Sequence, residues 1–178
     1  MRGRLALILH ATVAMAIPPP SRIVTAAGAP ITVLEGMPAT SAAFLQNPAA
    51  LTFSSDGGVI VGDVARNVLR RITPGGAVFT LAGGGSPAVC NDKARAPTVS
   101  MNMVPGLPWD AAGGLADDGV GGVYFSDSFN HAVGRIFANG SVIVVAGICG
   151  VGNFHGDGGA ATLANLHVPV GLAVDRGG

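Results

Sequence analysis

Histidine, cysteine and isolated carboxylates are the residues here that could carry chemistry. His131, His155 and His167 stand apart from one another, and Cys149 precedes His155 by six residues with no second Cys/His pair nearby. A structural zinc site draws on four such ligands at tight local spacing, so this pattern does not specify one. Asp157 sits among glycines in Gly156-Asp157-Gly158-Gly159. Calcium takes about six to eight oxygens, and with one carboxylate at hand the expectation is a plain turn. The chain has no Gly-Xaa-Ser-Xaa-Gly elbow, and Gly83-Gly84-Gly85-Ser86 lacks the lysine and following helix of a phosphate loop. No catalytic residue, metal or cofactor is therefore assigned. His131 and His155 are retained as a candidate pair on grounds of topology given below.

The elements that position these residues repeat. Asp63 and Asp127 lie 64 residues apart, and Arg71/Arg135 and Gly83/Gly147 keep the same offset. A catalytic group has no reason to recur once per unit, whereas an aspartate that accepts backbone N–H bonds does. Asp63, Asp127, Arg71 and Arg135 are accordingly read as structural. Within a unit, short apolar runs at Gly114–Ala116, Gly122–Ser126, Gly134–Ala138 and Ser141–Ala146 are separated by turns at Asp117-Asp118-Gly119, Asn130-His131 and Asn139-Gly140. Asn-Gly favours a tight hairpin because both residues tolerate positive φ. Four strands per unit, repeated along the chain, predict an all-β fold: a partial β-propeller of about two to three four-stranded blades.

Composition fits a turn-dense β protein: 28 glycines, 12 prolines, 49% hydrophobic and 11% charged residues. Ten basic and ten acidic residues cancel, and the basic ones are scattered, so no nucleic acid partner is expected. Arg2 and Arg4, the apolar run Leu5–Val13, and Ala14-Met15-Ala16 have the layout of a secretory signal peptide. An N-terminal helix or uncleaved anchor is the alternative. The run is shorter than the roughly 20 residues that cross a bilayer, and no second such segment follows, so no membrane span is expected after cleavage. The product is expected to be secreted or lumenal. In that compartment Cys90 and Cys149 can form a disulfide if their Cα atoms approach within about 7 Å; otherwise each is free or pairs elsewhere.

Strand alternation decides which side offers a binding surface. With strands a to d reversing in turn, the b–c loop and the d–a connector emerge on one face, and the tight a–b and c–d turns on the other. Asp127–His131 is a b–c loop and Ile148–Ala161 a connector. Long loops on a rigid scaffold collect binding groups, so Asn130, His131, His155 and Asp157 are the candidate binding residues.

The stretch from Gly121 to Asp175 resembles the NHL-repeat β-propellers, in the secreted type with Gly-Asp-Gly-Gly connectors. The resemblance is carried by the aromatic strand ending in Asp127, the Asn130-His131 turn, the basic-apolar strand, the Val145-Ala146-Gly147 ending, the connector at Gly156–Gly159, and Pro169 to Asp175. Thr40–Gly83 is a looser copy, and Asn91-Asp92-Lys93-Ala94 replaces the glycine connector after Gly83. The division implied is a signal peptide at 1–16, the last strand of a preceding blade with its connector at 17–39, blades with connectors at 40–103 and 104–163, and a further, truncated blade from 164. The resemblance implies a fragment of a six-bladed or similar ring, closed by missing blades or by self-association. It also implies a non-enzymatic extracellular scaffold binding a protein or glycan. The alternative is a piece of a propeller enzyme, a metal-dependent lyase or hydrolase, with its catalytic residues largely in other blades.

Overall fold

The computed structural model of the 178-residue chain describes residues 14–17, 22–25, 35–40, 45–84, 90, 95–96, 99–103 and 114–175. Most of the signal-peptide reading, and the Asn91–Ala94 departure, lie outside them. Ala14–Ile17 (β1) and Arg22–Thr25 (β2) pair antiparallel as a two-stranded sheet, so residues 14–16 of the signal-peptide reading lie in a strand.

Two four-stranded antiparallel meanders follow. The first is Pro48–Phe53 (β3), Val59–Asp63 (β4), Val68–Ile72 (β5) and Val78–Gly83 (β6). The second is Leu115–Asp117 (β7), Val123–Asp127 (β8), Ala132–Ile136 (β9) and Val142–Ala146 (β10). First strands β3 and β7 pack against each other, which leaves β6 and β10 outermost. The chain is thus part of a β-propeller, with two blades arrayed about a common inner edge.

Strand chemistry follows from this layering. β4 is buried at every position, because sheets or connectors cover both its faces, and Val59-Ile60-Val61 accordingly reads as a continuous apolar run rather than an alternating one. The core joins the blades: Ile60, Leu69 and Ala82 of the first meet Val123, Phe125, Ile136 and Val142 of the second, with Val99, Met101 and Met103 from the connector between them. Phe125 is fully buried, and its ring lies over Gly134, where a Cβ would overlap it.

Both outer strands carry the same irregularity. The β5–β6 register skips Leu81, and the β9–β10 register skips Val145. A glycine at positive φ follows each, Gly83 (97°) and Gly147 (91°). A Cβ there would strike the carbonyl of Asn67 or His131 in the adjacent loop, so the Ala-Gly ending of each unit is a steric requirement.

The segment preceding each blade crosses that blade's outermost strand. Gly36 and Ala39 donate to the carbonyls of Val78 (2.7 Å) and Gly76 (2.8 Å), and Ala96 donates to Gly140 (3.0 Å). This crossing carries Cys90 to the end of β10, where it forms a disulfide with Cys149 across 6.0 Å between Cα atoms.

Candidate functional site

Site geometry begins at the junction between blades. Asp63 and Asp127, both fully buried, end the second strand of their blades. The Asp63 carboxylate accepts from the backbone N–H groups of Gln46 (2.9 Å) and Asn47 (3.0 Å) and from the Arg66 guanidinium (3.0 Å). Asp127 accepts from Asn102 N–H (2.7 Å) and from the Asn130 amide (2.8 Å). The bonded backbone belongs to the segment entering the blade, not to the aspartate's own turn. Position 130 is the counterpart of position 66, so the second blade has a neutral amide where the first has a cation. Burial raises the Asp127 carboxyl above its ordinary range, and the bonds from Asn130 and Asn102 only partly offset that.

Asn67 and His131, another pair 64 residues apart, adopt left-handed conformations (φ 53° and 56°). Asn67 Oδ1 accepts from Met103 N–H at 2.7 Å, and His131 Nδ1 accepts from Val168 N–H at 3.2 Å. Each residue thereby holds the connector leading to the next unit. His131 is a latch whose Nδ1 must be free of a proton, which places the neutral ring's proton on Nε2. Its ring stacks on His167, with centroids 5.6 Å apart, and packs over Gly152. Ser126 and Ser128 hydroxyls donate to the carbonyls of Val170 (3.0 Å) and Pro169 (2.8 Å), fixing the same connector.

On the opposite face each third-strand arginine reaches an aspartate of the first turn. Arg71 pairs with Asp56, and Arg135 with Asp118 at 2.7 Å. Burial pushes the Asp118 carboxyl up, but the Arg135 bond and the N–H groups of Val120 and Gly122 outweigh it, so the group lies below its ordinary range. A cleft of about 400 Å³ opens here between the blades, lined by Asp56, Arg71 and Thr80 of the first and by Gly121, Phe137 and Gly140 of the second. Sequence reasoning gave this face little to offer. The cleft arises from the gap between two sheets, which no single turn encodes.

The connector after β10 builds the other cavity. Asn165 N–H donates to His155 O (2.8 Å), and Asn153 N–H to Leu166 O (3.3 Å), folding residues 153–166 into a closed loop. Gly156 and Gly158 turn its tip at positive φ (97° and 77°). The result is an open cavity of about 630 Å³, lined by Phe154, His155, Asp157, Asn165, His167 and Pro169. Phe154 is 81% exposed, with its ring centroid 5.3 Å from that of His167.

Of the four candidate binding residues, His155 and Asp157 line this cavity. His131 lies behind it as the latch, and Asn130 is engaged with Asp127. Phe154, Asn165 and His167 complete the wall and were not singled out from sequence. Only exposure in three dimensions marks Phe154 as distinct from a core residue. Asn67 was also passed over as a latch, although its 64-residue offset from His131 was available as a signal. Among the described residues, no group of three His, Cys, Asp or Glu side chains is placed to hold a metal.

No protein-family model and no curated protein matches the chain. Among solved structures, it is similar to a structural genomics protein of unknown function from Bacteroides thetaiotaomicron (TM-score 0.64, 17% identity), over 93% of this chain and 37% of that one. A streptogramin B lyase (TM-score 0.43, 16% identity, 75% and 33% covered) and the virginiamycin B lyase of Staphylococcus aureus (0.39, 17%, 94% and 54%) superpose too loosely to carry an argument. The chain thus spans little more than a third of the length of the first of these, and the likeness bears on fold alone.

Proposed function

We propose that the chain is part of an NHL-type propeller, exported through its N-terminal segment, that acts as a non-enzymatic extracellular binding scaffold with its ligand seat in the Phe154–His167 cavity. One observation carries this reading. The polar residues that recur between blades are engaged in the fold, as are Asn67 and His131, whereas His155 and Asp157 belong to a connector motif without a matching copy and face solvent. Such a division suits a scaffold whose recognition groups sit on a variable loop. Further blades, or copies of this chain, would cover the groove between Tyr124 and the segment Leu172–Asp175.

The test is the metal content and mass of protein exported by a secretory host. The expected product lacks residues 1–16 and retains no stoichiometric metal after dialysis. Retained Zn²⁺ or Ca²⁺ at one per chain would overturn the non-enzymatic reading, and material with an intact N-terminus would overturn cleavage at Ala16.

A further inference from the structure

Carboxylates in this chain are nearly all engaged. Glu35 takes Thr80 N–H and the Arg70 guanidinium, Asp56 and Asp118 hold their turns and an arginine each, Asp117 caps Gly119, and Asp63 and Asp127 hold the incoming connectors. No such bond or ion pair engages the Asp157 side chain among the described residues. Its own segment supplies no counter-charge, because Gly147 to Asp175 contains neither lysine nor arginine. Beside it stands Phe154, the most exposed large apolar side chain described, its ring propped against His167.

The fold shows elsewhere what completes such a pair. The Arg135 guanidinium lies 4.5 Å from the Phe137 ring centroid and 5.1 Å from that of Tyr124, and bonds the Asp118 carboxylate. Aromatic face and carboxylate together stabilise one planar cation through the ring quadrupole and charge-assisted hydrogen bonds. The connector cavity holds the same two parts without the cation, and the His155 ring and Asn165 amide line it with further acceptor atoms.

We infer that this cavity takes the guanidinium or ammonium group of an arginine or lysine side chain presented by a partner protein. This rests on the binding reading above and narrows it to one chemistry. Phe154 offers a ring face to the cation, Asp157 neutralises it, and Asn165 and His155 accept its remaining N–H groups.

The experiment titrates the full chain with three probes, followed by NMR of the Phe154 ring and the His155 and His167 imidazoles: the capped tripeptide Gly-Arg-Gly, its citrulline isostere, and methylguanidinium. The arginine tripeptide is expected to give saturable shifts and the citrulline peptide markedly weaker ones. Asp157→Asn and Phe154→Ala should each weaken the arginine probe about two- to fivefold, the range set by exposed ion pairs and cation–π contacts. Both positions are solvent-facing, so both variants should fold as the parent does. Citrulline binding as tightly as arginine would overturn the inference and leave the binding reading standing. Methylguanidinium binding as tightly as the peptide would overturn the protein source in favour of a free cation. Silence with all three probes would overturn the inference as well, with the metal analysis still deciding the wider reading.

Discussion

Replacing His131 with alanine removes the acceptor of the Val168 N–H and places a Cβ-bearing residue without a polar side chain at φ 56°. A backbone donor left without its partner costs about 1–3 kcal/mol, and Val168 is half-buried and its bond long at 3.2 Å, which puts the loss at the lower end. The left-handed conformation adds roughly 1 kcal/mol for alanine. The expected penalty is therefore about 2 kcal/mol, concentrated where the connector meets the second blade. His131→Asn should behave differently. Asn67 already performs this task in the first blade at 2.7 Å, and asparagine tolerates the left-handed region. Hydrogen exchange of the Val168 amide reads the latch directly. By the relation of about 1.4 kcal/mol per tenfold, His131→Ala should speed exchange about thirtyfold, with His131→Asn staying near the parent. Equal acceleration in both variants would show that the ring's stacking on His167, not its acceptor nitrogen, holds the connector. Acceleration in neither would refute the latch.

Two further changes probe the junction. Asn130→Arg transplants the Arg66 arrangement onto Asp127. The raised Asp127 carboxyl gives a contribution to stability that is complete below its unfolded value and is lost as pH rises through the folded one. The added guanidinium should shrink that loss and stabilise the protein by about 1 kcal/mol near neutrality, as measured by urea unfolding between acid and neutral pH; an unchanged pH dependence would refute the comparison with Asp63. Removing the Cys90–Cys149 bond with paired serines frees a loop of 59-residue separation and should cost about 4 kcal/mol on the chain-entropy account. A loss below about 1 kcal/mol would mean that the crossing strand contacts already confine this connector in the unfolded ensemble.

Much of the fold was legible because it repeats. Period-two strands, the Asn139-Gly140 turn and the 64-residue offset marked two four-stranded units, and strand alternation put His131 on the same face as the connector, where the structure has it meeting His167 and Val168. Strand ends shifted by a residue or two: β9 begins at Ala132 rather than Gly134, because the left-handed His131 closes the preceding turn directly. The site was less legible. Asp127 and Asp63 signalled backbone bonding, yet their partners lie 16 to 25 residues upstream, a distance that local turn chemistry does not foresee. The cavity wall at Phe154 and Asn165 depends on how the connector folds back on itself, and the cleft beside Asp56 on the spacing of two sheets. Neither is written in a local pattern.

Neighbouring residues at the junction answer to different blades. Asn102 donates its N–H to Asp127 of the blade it is entering, and Met103 donates to Asn67 of the blade it is leaving. Orientation between blades is thus set before the first strand begins. In the first blade Asn47 runs directly into β3, whereas eleven residues separate Met103 from β7, and both blades nonetheless form the same four-stranded meander. Length added downstream of the anchored pair leaves the angular relation of the sheets intact. That stretch is where this architecture can accept grafted sequence, or acquire it in evolution, while the ring geometry is handed on unchanged from one unit to the next.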